Sequence, residues 1–302
     1  MSQAFDYLLS GLCLRSEIQL PELVPAPETT KQAEVRVRLA ETPKALENPV
    51  DSGVLYEAAP GQFLLHMPGI ARYFARNGEE IIVEPEAGSL PEEVRLFLLG
   101  TVWAALMHQR EFLVLHASGI RTSQGAIIFI GRSSTGKSSL AAAFYRHGFP
   151  TLGDDVMVVK VNDGQALAYP GFPQLHVWPD MLHALEVPPT EVTPLRPKLA
   201  KRVLPTPLGF TSKPEPVKAI YVLQSNNEEE LKFEHFQGMG RFSALLNNTF
   251  REKFLGGLGV RPVHFQQVSR VAQLVPVASL TRPEQPPQFE RMVEMIEKDL
   301  GL

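Results

Sequence analysis

The chain has 302 residues, of which 44% are hydrophobic and 21% charged, and its formal net charge at pH 7 is −4. These proportions are normal for a globular protein with a sizeable apolar core, and the length suits one large domain or two ordinary ones. The slightly acidic balance excludes the strongly basic surface that is typical of nucleic-acid-binding proteins. We therefore expect no nucleic-acid partner.

Three features favour a cytoplasmic protein. Cys13 is the only cysteine, so no disulfide can form within the chain. The first apolar run follows Asp6 rather than a basic segment, which is not the pattern of a signal peptide. The longest uncharged apolar run, Leu96 to Gln109, is shorter than the about 20 residues that cross a bilayer. It predicts a buried helix, and we expect no membrane segment.

Residues 1–90 are predicted to form a β-rich N-terminal domain. Apolar and polar residues alternate at 34–39 and 62–67, as they do in strands with one buried face. Asn77-Gly78 lies between two strand-like runs, which is a strong signal of a β-hairpin. No chemical motif occurs in this segment. Its expected roles are packing, oligomerisation or partner recognition, and a homo-oligomer stays open.

Residues 91–302 are predicted to form an α/β domain. A helix should begin at Pro91, because proline fits the first helical turn. The proline-rich stretch from Tyr169 to Pro216 is predicted to be irregular. The predicted strands are Phe112–Leu115, Ala126–Ile130, Val156–Val161, Lys218–Gln224 and Leu231–Phe236, and the predicted helices are Lys137–Arg146, Phe242–Leu255 and Gln288–Leu300.

Residues 131–138, Gly-Arg-Ser-Ser-Thr-Gly-Lys-Ser, match the pattern GxxxxGK[ST] at every required position. An apolar strand precedes the match and an alanine-rich helix follows it, which is the context that a phosphate-binding loop (P-loop) requires. The alternative is a chance match in an ordinary turn of glycines and serines, and the strand and helix argue against it.

The residue types of this loop suit a triphosphate. Glycines at 131 and 136 let the backbone adopt positive φ, so that successive N–H groups and a helix N-terminus face the anion. Lys137, expected to face solvent, would reach the β- and γ-phosphates, and Ser138 would offer its hydroxyl to Mg²⁺. We therefore predict binding of ATP with Mg²⁺. The predicted nucleotide contacts are Gly131, Ser133, Ser134, Thr135, Gly136, Lys137, Ser138 and Ser139.

Two adjacent carboxylates, Asp154 and Asp155, follow the helix that carries the loop. Beside a bound triphosphate, one carboxylate can hold Mg²⁺ and the other can accept the proton of an attacking hydroxyl. Both are therefore candidate catalytic and metal-binding residues, with the two roles left open between them. The alternative is that Gly153-Asp154-Asp155 is only a polar turn before a strand.

His116 and Arg251 complete the candidate site. His116 ends a predicted strand shortly before the P-loop strand, and neighbouring parallel strands would bring it to the same sheet edge. A histidine satisfied within the core is the alternative for this position. Phosphoryl transfer also uses a second cation, and we expect Arg251 to supply it. A solvated arginine on a helix face is the alternative for Arg251.

The order of three motifs resembles the C-terminal domain of HPr kinase/phosphorylase. These motifs are His-Ala-Ser-Gly-Ile at 116–120, GRSSTGKSS at 131–139 and Gly-Asp-Asp-Val at 153–156. The likeness is best over residues 112–162 and looser up to about residue 280. It implies a P-loop kinase domain of the HPr-kinase/carboxykinase type, related in fold to phosphoenolpyruvate carboxykinase, behind the β-rich N-terminal domain.

The resemblance implies ATP-dependent transfer of phosphate to a serine or threonine hydroxyl of a protein or peptide. It assigns phosphate and Mg²⁺ to Lys137 and Ser138, and an auxiliary role to His116. Ser139 stands where the true enzyme often has glutamate, and its EIRGxG signature is absent from 169–179, YPGFPQLHVWP. Related proteins phosphorylate precursor peptides, so a peptide acceptor is favoured over HPr. A small-molecule kinase and a non-catalytic nucleotide-binding module are the alternatives.

Overall fold

The computed structural model describes residues 3–28, 32–197, 199–226, 230–284 and 288–302. The protein is a mixed α/β protein with several sheets, and the chain divides into two compact units. Unit 1 comprises residues 1–114 and 250–267, and unit 2 comprises residues 115–249 and 268–302.

Unit 1 contains a nine-stranded sheet with the order β3-β1-β2-β4-β9-β8-β7-β6-β5. Its strands are β1 Phe5–Leu9, β2 Leu12–Ser16, β3 Val24–Pro25, β4 Val35–Leu39, β5 Asp51–Ser52, β6 Tyr56–Ala59, β7 Gln62–Met67, β8 Ala71–Arg76 and β9 Glu80–Pro85. The predicted hairpin is confirmed, since β8 and β9 pair antiparallel across Asn77 and Gly78. Both turn residues have positive φ, which the sequence Asn-Gly tolerates.

The helix predicted to begin at Pro91 does so. It runs as α1 Pro91–Phe97, a π-helical turn Leu98–Val102 and α2 Trp103–Gln109. The predicted domain boundary at residue 90 falls before this helix, whereas the compact unit includes it. The reason is packing, because Trp103 Nε1 donates to Ser10 Oγ and the Tyr73 hydroxyl donates to the Val94 carbonyl. None of the helices in the described part of the chain has both the length and the apolar character needed to cross a membrane.

Unit 2 is built around a mixed sheet in which β14, β15, β19, β12, β11 and β13 are neighbours in that order. Strand β21 also pairs with β19 and with β20. The strands from residue 113 onward are β10 Leu113–Leu115, β11 Ala117–Thr122, β12 Gly125–Gly131, β13 Thr151–Gly153, β14 Met157–Asn162, β15 Gln165–Tyr169, β16 Gln174–Val177, β17 Thr193–Pro194, β18 Arg202–Pro205, β19 Glu215–Asn226, β20 Lys232–His235 and β21 Val277–Pro283. The helices after β12 are α3 Lys137–Arg146, α4 Pro179–Ala184, a 3-10 turn Pro189–Glu191, α5 Met239–Asn247, α6 Phe254–Gly257, α7 Arg261–Leu274 and α8 Phe289–Leu300. Of these, α6 belongs to unit 1, and α7 has residues in both units.

The central strand β12 carries the P-loop at its carboxyl end. All seven residues of β12 are buried, as its continuous apolar sequence predicts. Helices α3 and α8 pack on the sheet, with the Phe129 and Phe144 rings 5.5 Å apart and Met292 and Ile296 in the same apolar cluster. This packing fixes the start of α3 against the end of β12, which is where the loop must turn.

Two predicted elements differ from the structure. The stretch from Tyr169 to Pro216 is not irregular, because β16, β17 and β18 form a small sheet within it and α4 follows β16. Its prolines shorten these elements without abolishing them; Lys198 lies outside the described residues. The helix predicted over Phe242–Leu255 is two helices, α5 and α6, and Arg251 between them adopts a positive φ of 57°. A left-handed residue interrupts a helix.

Unit 1 buries two histidines with depressed pKa values. Burial lowers the pKa of His108 to about 4. The nearby His264 lowers it further, whereas the hydrogen bond to the Phe250 carbonyl opposes the shift. Burial also lowers the pKa of His264 to about 4. Their rings lie 6.3 Å apart, and Nδ1 of His108 has no hydrogen-bond partner among the described residues. Both histidines are therefore neutral in the folded protein near pH 7.

We expect the folded protein to lose stability as the pH falls from 6.5 toward 4. In this pH range the two histidines are protonated in the unfolded chain but stay neutral in the folded protein, because their pKa is lower in the folded protein than in the unfolded chain. Each histidine therefore lowers the free energy of unfolding by up to about 3 kcal/mol at pH 4. The free energy of urea unfolding should therefore depend less on pH in His108→Gln than in wild type. The exposed His183→Gln is the control, and an unchanged pH dependence in His108→Gln would contradict the assignment.

Candidate functional site

Both glycines of the predicted P-loop have the positive φ expected from the sequence. Gly131, Ser134 and Gly136 have φ values of 149°, 68° and 101°. A side chain at Gly131 is excluded, since its Cβ would lie 2.5 Å from the Leu223 carbonyl oxygen on the adjacent parallel strand β19. Thr135 is buried, and its hydroxyl donates to the Arg132 carbonyl across the loop. The loop is thus a preformed turn between β12 and α3.

Lys137 is not solvent-facing as predicted; its exposed fraction is 6%. The ammonium lies inside the turn and donates to the carbonyls of Gly131 and Arg132, both at 2.9 Å. Burial lowers the pKa of Lys137 to about 8, while the negative charges of Asp154 and Asp155 oppose that shift. The lysine therefore remains largely cationic at neutral pH and is anchored to the loop it serves.

Asp154 connects three elements of unit 2. Its Oδ1 accepts hydrogen bonds from the hydroxyls of Ser118 on β11 at 2.5 Å and Ser138 on α3 at 2.9 Å. Its Oδ2 accepts a hydrogen bond from the backbone N–H of His176 on β16 at 2.7 Å. The carboxylate is buried, and these three donors compensate the cost of burying it. The bond to Ser138 places Asp154 beside the hydroxyl predicted to bind Mg²⁺.

Asp155 has a different environment from Asp154. It adopts a left-handed φ of 62°, which is costly for a residue other than glycine, although aspartate tolerates it better than most. Its Oδ2 lies 2.8 Å from Nδ1 of His176. Because a carboxylate can only accept, Nδ1 of His176 donates this hydrogen bond. Oδ1 of Asp155 makes no hydrogen bond to the described residues, so it can accept one from a ligand.

The charges around Asp155 keep it ionised. Burial raises the pKa of Asp155, but the hydrogen bond from His176 and the positive charges of His176 and Lys201 outweigh burial and hold the pKa well below its usual range. Burial lowers the pKa of His176, and the bond to Asp155 more than reverses this, so its pKa is raised. Asp155 is therefore a carboxylate throughout the neutral pH range.

His116 lies at the P-loop edge of the sheet, but not through the parallel pairing that the sequence suggested. Strand β11 runs antiparallel to β12, with Ala117 opposite Ile130, so the residue before β11 meets the residues after β12. The His116 Nδ1 lies 3.1 Å from the Asp155 carbonyl oxygen. Burial, and then the charge of Lys137, lower the pKa of His116 below its usual value. A neutral imidazole at neutral pH follows.

Most of the predicted site residues line one cavity of about 400 Å³. This volume falls within the range of small-molecule sites. The predicted residues that line it are His116, Ser133, Ser134, Gly136, Lys137, Ser138, Ser139 and Asp155. The other lining residues were not predicted from the sequence; they are His176, Trp178, Asp180, Met181, Lys201, Ser225, Arg282 and Glu284. We call this space the P-loop cavity.

A second, wider cavity of about 1,200 Å³ adjoins the first half of the loop. It shares Ser133, Ser134, Ser225 and Glu284 with the P-loop cavity and is also lined by Gly131 and Thr135. Among the described residues, its charged lining residues are Arg132 and Glu284, and the other polar side chains are neutral hydroxyls and amides. All the residues that line the two cavities belong to unit 2.

Arg251 is not in this site, contrary to the prediction. It belongs to unit 1, where its guanidinium donates to Thr101 Oγ1 at 2.9 Å and lies 5.1 Å from the centre of the Phe250 ring. The segment after residue 250 packs on the unit 1 sheet, with the Phe254 ring 4.5 Å from the Phe63 ring. The cations that line the P-loop cavity instead are Lys137, Lys201 and Arg282.

The donor set can accommodate a cation. Ligand atoms of Asp154, Asp155 and His176 all lie within 4.8 Å of one another, and Ser138 is bonded to Asp154. Carboxylate and hydroxyl oxygens suit Mg²⁺, which prefers hard oxygen ligands. The imidazole of His176 is better explained as the donor that orients Asp155, since its Nδ1 is used in that bond. The residues present therefore fit Mg²⁺.

His176, Lys201 and Arg282 could not be predicted as site residues, because no sequence motif contains them. His176 comes from β16, whose register with β18 places it opposite Val203. Arg282 is the penultimate residue of β21, and its guanidinium donates to the Thr135 carbonyl of the P-loop. One feature of the sequence could have pointed to Arg282: β19 and β21 are apolar strands that follow the loop, so they could join the same parallel sheet as β12. Carboxyl ends of such strands converge on the ligand edge.

No family model matches the chain, and no curated protein matches it. Among solved structures, the chain is similar to the Hpr(Ser) kinase/phosphatase from Coxiella burnetii, with 13% sequence identity. The match covers 63% of this chain and 99% of that chain, at a TM-score of 0.34. A likeness this loose carries no argument about function, which depends on the residues of the site itself.

Proposed function

We propose that this protein is an ATP-dependent kinase that transfers the γ-phosphate to a serine or threonine hydroxyl of a peptide or protein. The observation that carries the proposal is the hydrogen bond from Ser138 of the P-loop to Asp154, with Asp155 lining the same cavity as Lys137. A phosphate-binding turn, a metal-side carboxylate and a second, ionised carboxylate are thus gathered at one place. A protein that only binds nucleotide has no need of the second carboxylate.

The two aspartates divide the work by their environments. Asp154 accepts three hydrogen bonds, one of them from the Ser138 hydroxyl that is predicted to bind Mg²⁺. We therefore assign Asp154 to the residues that hold the metal ion. Mg²⁺ bound with the triphosphate would neutralise charge on the phosphate oxygens. Asp155 is oriented by His176 and faces the cavity, so we assign it to the acceptor hydroxyl. Its role is to accept the hydroxyl's proton and to align the oxygen with the γ-phosphate.

Lys201 and Arg282 replace Arg251 in the proposal. Both line the P-loop cavity, and phosphoryl transfer needs cations that stabilise negative charge as the bond to the leaving group breaks. Arg282 is buried, and its guanidinium is fixed by the carbonyls of Thr135, Pro283 and Glu284. A cation held this way needs no rearrangement to act on the phosphates.

We propose that the acceptor is a flexible peptide segment. The wide cavity beside Gly131–Thr135 is lined by neutral hydroxyls and amides, including Ser243, Asn247 and Asn248. Such a surface can hydrogen-bond an extended, uncharged backbone. Its position next to Ser133 and Ser134, which the two cavities share, would bring a side-chain hydroxyl to the triphosphate.

Lys137→Met should abolish binding of ATP with Mg²⁺ while the protein stays folded. Methionine keeps the length and apolar stem of the side chain, so only the cation is lost. Isothermal titration calorimetry measures the affinity, and a thermal melt reports the fold. Lys160→Met, a substitution on β14 outside the loop, is the matched control. Wild-type affinity in a folded Lys137→Met protein would overturn the assignment of the loop.

Asp155→Asn should reduce phosphoryl transfer by about 10²–10⁴-fold with little change in ATP affinity, as expected for loss of a general base. Asp154→Asn should also reduce transfer, but raising Mg²⁺ should partly restore it. Asparagine suits the left-handed conformation at 155, so the fold should survive. Asp163→Asn is the matched control, because Asp163 is exposed and also has a positive φ. Near wild-type transfer by both site variants would mean that the pair is only a turn.

The acceptor can be identified by mass. The protein is incubated with ATP, Mg²⁺ and separate acceptors, namely serine-containing peptides, folded HPr and free serine. We expect one phosphate on a peptide serine or threonine, because a flexible segment fits the wide neutral cavity. Asp155→Asn provides the blank for each acceptor. Phosphate on free serine or on HPr, and never on a peptide, would contradict a peptide acceptor and favour the alternative small-molecule or HPr activity.

A further inference from the structure

Two chemically different sets of residues line the P-loop cavity. Lys137 and the N-terminus of α3 provide positive charge that suits phosphates. Trp178, Asp180 and Met181 add an aromatic ring, a carboxylate and a thioether. Because the Asp180 carboxylate repels phosphate oxygens, the second set suits a flat, uncharged group better than a phosphate chain.

Trp178 is a partly exposed aromatic side chain in the lining of the P-loop cavity. It precedes α4, is 36% exposed and lines the cavity, whereas the other tryptophan, Trp103, is 2% exposed in unit 1. Exposing an indole to water forgoes the burial that normally stabilises it. An exposed aromatic ring beside a phosphate-binding loop is the arrangement on which a nucleobase can stack.

Trp178 shares its cavity with the second half of the loop. Gly136 to Ser139 line the cavity with Trp178, whereas Gly131 and Thr135 face the other, wider cavity. A nucleotide whose phosphates lie over Lys137 can therefore extend its nucleoside toward Trp178 and leave the wide cavity to the acceptor.

We propose that Trp178 is the platform on which the nucleobase of the bound nucleotide stacks, with Asp180 and Met181 beside the nucleoside. This inference rests on the proposed binding of a triphosphate at the P-loop and adds a separate subsite to it. Stacking on an indole does not read the edge of a base, so the platform accepts any purine.

Lys201 lies beside the indole in the same cavity. Its ammonium is 5.8 Å from the centre of the Trp178 ring, within the range of a cation–π interaction. A base that stacks on the accessible part of the ring would therefore lie close to a cation.

The competing occupant of the space beside Trp178 is a side chain of the acceptor peptide. It would contact Trp178 only when a peptide is present, whereas a nucleobase contacts it whenever ATP is bound. Binding measurements without any acceptor therefore separate the two. Comparing ATP with inorganic tripolyphosphate separates the nucleoside from the phosphate chain, because both ligands engage the P-loop and only ATP carries a base.

The first measurement uses the two tryptophans of the chain. In Trp103→Phe, Trp178 is the only source of tryptophan fluorescence, and its emission is followed during titration with ATP and Mg²⁺ or with tripolyphosphate and Mg²⁺. We expect ATP to quench the emission, and tripolyphosphate to bind with much less change. Equal changes with both ligands, or binding of ATP without any change, would overturn the stacking.

The second measurement compares affinities by calorimetry. We expect Trp178→Ala to weaken ATP binding roughly 5- to 150-fold, the equivalent of the about 1–3 kcal/mol that stacking contributes per base, and to leave tripolyphosphate binding unchanged. Trp178→Phe, which keeps a ring and is less disruptive to the fold, should lose less than the alanine variant. Equal losses for both ligands, or none for ATP, would overturn the proposal. If wild type bound neither ligand, the proposed function itself would fall, and the platform with it.

Discussion

The Asp154 carboxylate is the interaction on which the site depends. It is buried, and it accepts hydrogen bonds from three separate elements through Ser118, Ser138 and the backbone of His176. A buried charge is stable only when its hydrogen bonds are made, so each of these donors is needed. In satisfying this carboxylate, the protein joins the first helical turn after the P-loop to β11 and to the small sheet that carries β16.

The consequences of this constraint extend to the neighbouring residue. Fixing Asp154 leaves Asp155 in a left-handed conformation, with its side chain in the cavity and bonded to His176. Two adjacent carboxylates thereby acquire opposite environments, one enclosed by donors and one presented to a ligand. The local strain at Asp155 is tolerated because the bonds on both sides of it over-determine the backbone.

The two cavities differ in how many charged side chains line them. Among the described residues, the P-loop cavity has the cations Lys137, Lys201 and Arg282 and the carboxylates Asp155, Asp180 and Glu284, whereas the wide cavity has Arg132 and Glu284. Lys137 is held in the loop by two carbonyl groups and keeps its charge despite burial, since Asp154 and Asp155 lie nearby. In the proposed function these fixed cations would meet the phosphates with little reorganisation.

The sequence by itself determined the local parts: the strand–loop–helix around residues 131–146, the Asn77-Gly78 hairpin and the helix from Pro91. Each depends on contacts close in sequence, such as the φ preferences of glycine, asparagine and proline and the period of apolar residues. Only the tertiary structure decided which distant side chains join the loop. It brought His176 to the site and placed Arg251 in unit 1, because strand register and packing join residues whose spacing in the chain carries no signal.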